Sequence, residues 1–134
     1  MRVVVDPNVP VSAVVASGVS AELLDRWLKD RPFDVVVCPA LIGELRDALA
    51  RDRFRRWIGV HESDLLVGRL ESEGERCADP TDIPAVTDDP KDDYLVALYR
   101  DCDADLLVSG DSDLLDLDAE DVSVLTPGDL LAQL

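Results

Sequence analysis

The sequence has few histidines, cysteines and long apolar runs, and each shortage excludes a class of protein. One histidine, His61, and three widely separated cysteines match neither the ligand spacing of a zinc site nor the framework of a disulfide-rich domain. The apolar stretch over residues 9–19 is far shorter than the roughly 20 residues that a membrane-spanning helix needs. No basic leader precedes Asp6. We therefore expect a protein of the reducing cytoplasm, with no export or membrane segment.

Positive charge is also scarce. The chain has 13 basic and 29 acidic residues, a net charge of −16, whereas phosphate-binding proteins usually carry a basic surface. Against this, arginines cluster after residue 45 and predict a local positive patch, although a solvated helix face is an equally simple interpretation. The candidate substrate-binding residues of this cluster are Arg46, Arg53, Arg55 and Arg56.

Aliphatic residues are what the sequence has in abundance. Its 134 residues are 47% hydrophobic but only 4% aromatic, which suits one aliphatic core, so we predict a single domain over residues 1–134. Residues 2–6, 33–37, 106–109 and 122–125 are predicted strands, and the unbroken valine run of the first is typical of a strand that is buried on both faces.

Helical patterns alternate with these strands. Caps and leucine spacing predict helices over residues 20–29, from 39, over 63–74, from 92 or 93 to 101, from 114 and from 127, with a short helix near 51–57. The prolines at 7 and 10 indicate a loop after the first strand. Alternating strands and helices predict a three-layer α/β/α sandwich with a central, mostly parallel sheet.

Acidic residues follow the predicted strands. Asp6 and Asp111 both lie just after a strand, and the carboxyl ends of parallel strands meet at one edge of the sheet. Glu44 and the adjacent Asp92 and Asp93 lie on helices that can complete a ring. Two carboxylates about 4 Å apart repel by roughly 4 kcal/mol at an effective dielectric constant near 20. A cation relieves this repulsion, and Mg²⁺ or Mn²⁺ suits a site made of oxygen ligands.

Each acid also has a purely structural interpretation. Asp6 can form a turn with Asn8, Asp92 and Asp93 can cap a helix, and Asp111 can lie in a turn. The combination favours a site, because a carboxylate that follows a buried strand is unfavourable without a partner.

Other hydrolytic chemistries match the residues less well. A haloacid-dehalogenase-like phosphatase needs a second aspartate two positions after the first, where this chain has Asn8. A phosphate-receiving regulator needs a lysine after its last strand, which has no clear counterpart here. No glycine-rich phosphate loop is present, and His61 stands alone in a polar turn, without the second general acid or base that histidine-based cleavage of RNA needs.

Four segments closely resemble, in order, the motifs of PIN-domain ribonucleases, above all those of prokaryotic toxin–antitoxin operons (VapC-like). The resemblance spans nearly the whole chain, and the Leu-Thr-Pro run at residues 125–127 is also typical of these toxins. The segments are VVVDPNV (3–9), PALIGEL (39–45), DPKDDYL (89–95) and LVSGDSDL (107–114).

The resemblance implies roles for the matching residues. It implies that four carboxylates bind metal and are catalytic, with two more as nearby or water-mediated ligands; the first four are Asp6, Glu44, Asp93 and Asp111, and the other two are Asp92 and Asp113. Asn8 would orient Asp6, and Ser109 stands where the family usually has threonine. The implied activity is Mg²⁺- or Mn²⁺-dependent endonucleolytic cleavage of single-stranded RNA, leaving a 5′-phosphate. The implied partners are an antitoxin protein and a second copy of the chain.

One departure from the motifs supports a different hypothesis. Pro7 stands where the family usually has threonine, so a hydroxyl that would support the site is missing. The alternative is a catalytically inert PIN-like module that binds a protein partner.

Overall fold

The computed structural model describes residues 1–134 and has one five-stranded sheet. Its strand order is β3-β2-β1-β4-β5, and every neighbouring pair is parallel, as predicted. β3 has no signature in the sequence because it consists of two polar residues. The strands are β1 (Arg2–Val5), β2 (Asp34–Val37), β3 (Glu75–Arg76), β4 (Leu106–Val108) and β5 (Val124–Leu125).

Seven α-helices connect and follow these strands. With right-handed crossovers, the helices that link β1, β2 and β3 cover one face of the sheet, and α5 covers the other, where it packs on β1 and β4. The predicted three-layer α/β/α sandwich is confirmed. The helices are α1 (Asn8–Val15), α2 (Val19–Asp30), α3 (Pro39–Leu49), α4 (Val60–Glu73), α5 (Pro90–Asp101), α6 (Ser112–Leu115) and α7 (Pro127–Ala132), with a 3₁₀ turn at Asp52–Phe54.

The segment after β1 is a helix, and the expectation of a loop there is wrong. Pro7 occupies the N-cap position of α1, and Pro10 is its third residue. The first backbone N–H groups of a helix have no partner within the helix, so proline removes no hydrogen bond there. Two prolines that suggest a loop are therefore compatible with a helix that begins directly beside Asp6.

The core is aliphatic, as predicted, with one enclosed tryptophan. The apolar stripe of α3 is buried, and Trp27 of α2 is buried with its indole N–H donating to the carbonyl of Phe33 at 3.1 Å. In α4 the leucine pattern predicts buried contacts at Leu65, Leu66 and Leu70: Leu70 is buried, but Leu65 is exposed and Val67 is buried instead. None of the helices is long and apolar enough to cross a membrane.

The cysteines depart from the expectation of reduced, unpaired thiols. Cys77, just after β3, and Cys102, at the end of α5, form a disulfide with their Cα atoms 6.6 Å apart. Their spacing in sequence does not reveal this pairing, because the fold alone brings the two segments together. Cys38 is free and buried, and its burial raises the pKa of the thiol to about 11.

Candidate metal centre at the carboxyl edge of the sheet

The central strands end where the crossovers change direction, and this is where acidic residues gather. Val5 of β1 pairs with Val108 of β4, so Asp6 lies level with Ser109. The backbone N–H of Asp6 donates to the carbonyl of Val108 at 2.9 Å. Ligand sites of open parallel sheets usually lie at such a switch point. The register therefore brings together two segments that are about a hundred residues apart.

Asp6 is held at this edge by both of its carboxylate oxygens. The side chain is only 3% exposed; Oδ1 accepts from the backbone N–H of Asn8 at 3.0 Å, and Oδ2 accepts from the Ser109 hydroxyl at 2.8 Å. Ser109 in turn accepts from the backbone N–H of Asp111 at 2.9 Å. Burial raises the pKa of Asp6, the two hydrogen bonds oppose that rise, and the charge of Asp111 adds to it. Ser109 thus couples Asp6 to Asp111.

Asp92 is the most unusual carboxylate of the site. Asp89, and not Asp92 or Asp93, caps α5 by accepting from the N–H of Lys91 at 3.0 Å. Asp92 is 7% exposed, and its Oδ2 is buried without any hydrogen-bond partner. Burial, reinforced by the charges of Asp111 and Asp6, raises the pKa of Asp92 to about 7. An unpartnered buried acceptor is costly and calls for an explanation.

Asp111 and Asp113 lie close to Asp92, and a cation held by the three carboxylates would be the missing partner of Asp92. Ligand atoms of Asp92, Asp111 and Asp113 all lie within 4.8 Å of one another. Asp111 also caps α6 by accepting from the N–H of Asp113 at 2.9 Å. An all-oxygen donor set of this kind suits Mg²⁺ or Mn²⁺, and the unpartnered Oδ2 of Asp92 gives such an ion an open ligand. The residues therefore fit a hard divalent cation.

Asp93 points elsewhere, although it follows Asp92 directly. Successive helical residues are rotated by about 100°, and Oδ1 of Asp93 accepts from the N–H of Val86, the N–H of Thr87 and the Thr87 hydroxyl at 3.1, 2.8 and 2.8 Å. Burial alone would raise the pKa of Asp93, but these hydrogen bonds lower it. Asp93 thus fixes the segment before α5, and it is Asp92 that lies beside Asp111 and Asp113.

Glu44 reaches the site region through a tyrosine that the sequence analysis missed. Glu44 is exposed on α3, and its Oε2 accepts from the Tyr94 hydroxyl of α5 at 2.6 Å. Burial and the adjacent Glu44 both raise the pKa of Tyr94. Tyr94 lies within the segment DPKDDYL, so its position beside the paired aspartates is the signal that could have identified it.

Pro7 does not face the carboxylates. It is buried, and it lines an apolar cavity of about 40 Å³ together with Val9, Trp27 and Leu41. In this chain the side chain at position 7 therefore contributes to core packing. The hydroxyl that contacts Asp6 belongs to Ser109.

The candidate substrate-binding arginines do not form one patch. Arg46 lies 3.5 Å from Glu71, and Arg55 donates to the backbone carbonyls of Leu49 and Ile58. Arg53 and Arg56 are exposed, and each guanidinium stacks on an aromatic ring. Of the four, only Arg53 and Arg56 have neither an acidic partner nor a hydrogen bond to a backbone carbonyl.

Comparisons with known proteins agree with this architecture. A solved chain in the crystal structure of VapBC2 from Rickettsia felis, bound to a DNA fragment from the promoter, superposes with a TM-score of 0.60 over 94% of this chain and 98% of that chain. The two chains are 10% identical, so the likeness concerns the fold. No curated protein sequence matches the chain. The family model described as PIN domain matches residues 2–113. The chain therefore belongs to the PIN domain family.

Proposed function

We propose that this protein is a Mg²⁺- or Mn²⁺-dependent endoribonuclease that cleaves single-stranded RNA. The observation that supports this most strongly is the buried carboxylate of Asp92, which lies beside Asp111 and Asp113 and whose Oδ2 has no hydrogen-bond partner. Membership of the PIN domain family is consistent with a nuclease. The carboxylate edge is the part of the molecule that this activity would use.

The proposed metal ligands are Asp92, Asp111 and Asp113, with Asp6 as a further carboxylate held by Ser109. A bound cation would polarise the phosphodiester and activate water. In the hydrolysis, water oxygen bonds to phosphorus, the 3′-oxygen of the preceding ribose leaves, and the phosphate stays on the 5′ side of the next nucleotide.

Two further residues have positioning roles in this proposal. Glu44 completes the acidic rim of the site and is held by Tyr94. Asp93 fixes the segment that contains Val86 and Thr87, and through it the start of α5. We assign the first-turn metal ligand to Asp92, and we assign a positioning role to Asp93.

A toxin–antitoxin pair is the biological setting that the sequence motifs and the fold support. The four sequence motifs resemble those of PIN toxins, and the fold is similar to a chain of VapBC2 from Rickettsia felis. On this basis we propose that the protein is the toxin of a toxin–antitoxin pair in the cytoplasm. Its partners would be a cognate antitoxin and a second copy of the chain.

Cleavage of labelled single-stranded RNA tests the activity. Wild type, Asp92→Asn and Asp25→Asn are purified identically and compared in Mn²⁺, Mg²⁺ and EDTA. Asp25 is exposed on α2, so its variant is a matched control for loss of one carboxylate. We expect metal-dependent cleavage by wild type and Asp25→Asn, and a loss on the order of 100-fold in Asp92→Asn, since several kcal/mol of transition-state stabilisation are removed.

Two results would contradict the proposal. Equal cleavage by all three proteins would indicate a contaminating nuclease or another site. No cleavage of several RNAs by folded wild type, together with no detectable Mn²⁺ binding, would favour the inert protein-binding module.

A further inference from the structure

An exposed tryptophan lies beside arginines in the connection between α3 and α4, outside the carboxylate site. We call Arg53, Phe54, Arg56 and Trp57 the arginine–tryptophan patch. Trp57 is 47% exposed, whereas the other tryptophan, Trp27, is 2% exposed in the core. An exposed tryptophan costs hydrophobic free energy unless its surface is used, so Trp57 marks this region as a candidate contact surface.

The patch is organised by stacking. The Arg53 guanidinium carbon lies 4.8 Å from the ring centroid of Phe54, and that of Arg56 lies 4.7 Å from the ring of Trp57. The two rings are 6.4 Å apart and tilted. Phe54 is buried and anchors the arrangement. With Val15 and Asp52, these side chains line an open cleft, and Asp52 is the only acidic residue among its walls.

The arginines of the patch differ from most others in the chain. Neither Arg53 nor Arg56 forms a salt bridge, and on a chain of net charge −16 their charges stay available to an anion. The arginines that are paired with acidic side chains are Arg2, Arg26, Arg31, Arg46, Arg69 and Arg100.

The chemistry of the patch favours a nucleic acid strand. Every base has an aromatic face that can stack on an exposed ring, and nearby arginines can contact the backbone phosphates. An acidic peptide would use the arginines but would leave the open surface of Trp57 without an equivalent partner. A single strand of RNA uses both.

The patch also lies within reach of the carboxylates. Val15, which shares the cleft, is the last residue of α1, and α1 begins at Asn8 beside Asp6. A helix rises about 1.5 Å per residue, so the length of α1 corresponds to about 12 Å. One strand of several nucleotides can lie along α1 and contact both regions.

We propose that the arginine–tryptophan patch binds single-stranded RNA, with a base stacked on Trp57 and backbone phosphates held by Arg53 and Arg56. This rests on the proposed nuclease function and specifies how its substrate is held. It excludes Arg55, whose guanidinium is engaged by backbone carbonyls, from the RNA contact.

Binding without cleavage tests the proposal. Fluorescence anisotropy of a labelled 12-nucleotide oligouridylate is measured in EDTA over a range of salt concentrations. The variants are Trp57→Ala, Trp57→Phe and the double variant Arg53→Glu/Arg56→Glu. The matched control, Arg26→Glu/Lys29→Glu, makes the same charge change on exposed residues of α2. Circular dichroism verifies that each variant is folded, and Trp57→Phe keeps an aromatic ring if Trp57→Ala does not fold.

The expected results separate stacking from charge. Trp57→Ala weakens binding about tenfold, because a base loses the ring on which it stacks, and Trp57→Phe restores most of the affinity. The double charge reversal weakens binding further. It also reduces the slope of log affinity against log salt concentration by about two, as expected for the loss of two phosphate contacts. The α2 control changes both quantities much less.

Unchanged affinity and salt dependence in the patch variants would overturn the proposal. The same holds if these variants alter only the sedimentation of the free protein, because the patch would then be a contact between copies of the chain. The assay needs no cleavage, so it is independent of the nuclease test. RNA binding through Trp57 with neither metal-dependent cutting nor Mn²⁺ binding would contradict the nuclease function alone, and cutting without involvement of the patch would disprove this proposal alone.

Discussion

The first turn of α5 carries two buried aspartates, Asp92 and Asp93, which lie on different sides of the helix. Their pKa values are shifted in opposite directions. Asp92 faces Asp111 and Asp113 with one oxygen unpartnered, and its pKa is raised to about 7. Asp93 accepts three hydrogen bonds at one oxygen, and its pKa is lowered. Burial is nearly equal for the two. Burial alone therefore does not distinguish the two aspartates, whereas the lack of a hydrogen-bond partner at Asp92 does.

The largest expected difference between Asp92 and Asp93 is in metal affinity, measured after each carboxylate is replaced by an amide. We expect Asp92→Asn to weaken Mn²⁺ binding by about two orders of magnitude, because it removes an anionic ligand and its Coulomb attraction. Asp93→Asn keeps an oxygen acceptor for Val86 and Thr87 and should weaken binding much less. Isothermal titration calorimetry measures both. Equal losses in the two variants would refute the assignment of the ligand to Asp92.

Replacement by alanine should destabilise the protein more at Asp93 than at Asp92, which is the reverse of the order expected for metal affinity. Asp93→Ala leaves the N–H groups of Val86 and Thr87 and the Thr87 hydroxyl without their acceptor, so we expect a loss of about 2 kcal/mol in the free energy of unfolding. Asp92→Ala removes no hydrogen bond and should cost less. Urea denaturation in EDTA compares them. A larger loss for Asp92→Ala would show that its carboxylate supports the fold.

The raised pKa of Asp92 predicts a pH-dependent stability of the metal-free protein. The folded protein keeps the Asp92 proton up to about pH 7, whereas the unfolded chain releases it near its usual pKa of about 4. The folded state thus binds more protons between these values, and its stability falls as pH rises through that window. Asp92→Asn removes this penalty, so the stability gained by the variant over wild type should be larger at pH 8 than at pH 5, by roughly 2–3 kcal/mol, since each pKa unit corresponds to about 1.4 kcal/mol. Thermal unfolding in EDTA tests this. A gain that is the same at both values would contradict the assigned cause.

The smallest expected effect concerns Tyr94, which lies on the same turn of α5. Tyr94→Phe removes the hydroxyl that holds Glu44 at 2.6 Å but keeps the ring. Because Glu44 is exposed and only its orientation changes, we expect RNA cleavage to fall by about threefold with little change in melting temperature. A loss as large as that of Asp92→Asn would mean that the tyrosine itself contacts the reacting groups.

The contrast between Asp92 and Asp93 also marks what the sequence can predict. The positions of Asp6 and Asp111 follow from local apolar runs, because parallel strands place their carboxyl ends at one edge. The sequence does not show which of Asp92 and Asp93 faces Asp111. That depends on the rotation of about 100° between successive helical residues and on the backbone N–H of Val86, which comes from another segment.

The roles of the arginines and the pairing of the cysteines also depend on contacts between residues that are far apart in sequence. The arginine cluster is visible in the sequence, but the pairing of Arg46 with Glu71 and the backbone contacts of Arg55 are not. The disulfide between Cys77 and Cys102 likewise depends on where β3 and α5 meet. Local patterns predicted elements and their order, and the tertiary contacts decided which side chains remain free to act.

The most direct test of the central claim is the position of a bound cation. Crystals grown with Mn²⁺ and measured for anomalous scattering would locate it independently of the protein atoms. We expect an anomalous peak within about 2.0–2.3 Å of a carboxylate oxygen of Asp92, next to Asp111, while Asp93 keeps its hydrogen bonds to Val86 and Thr87. A peak coordinated by Asp93, or no peak at this edge of the sheet at saturating Mn²⁺, would contradict the account.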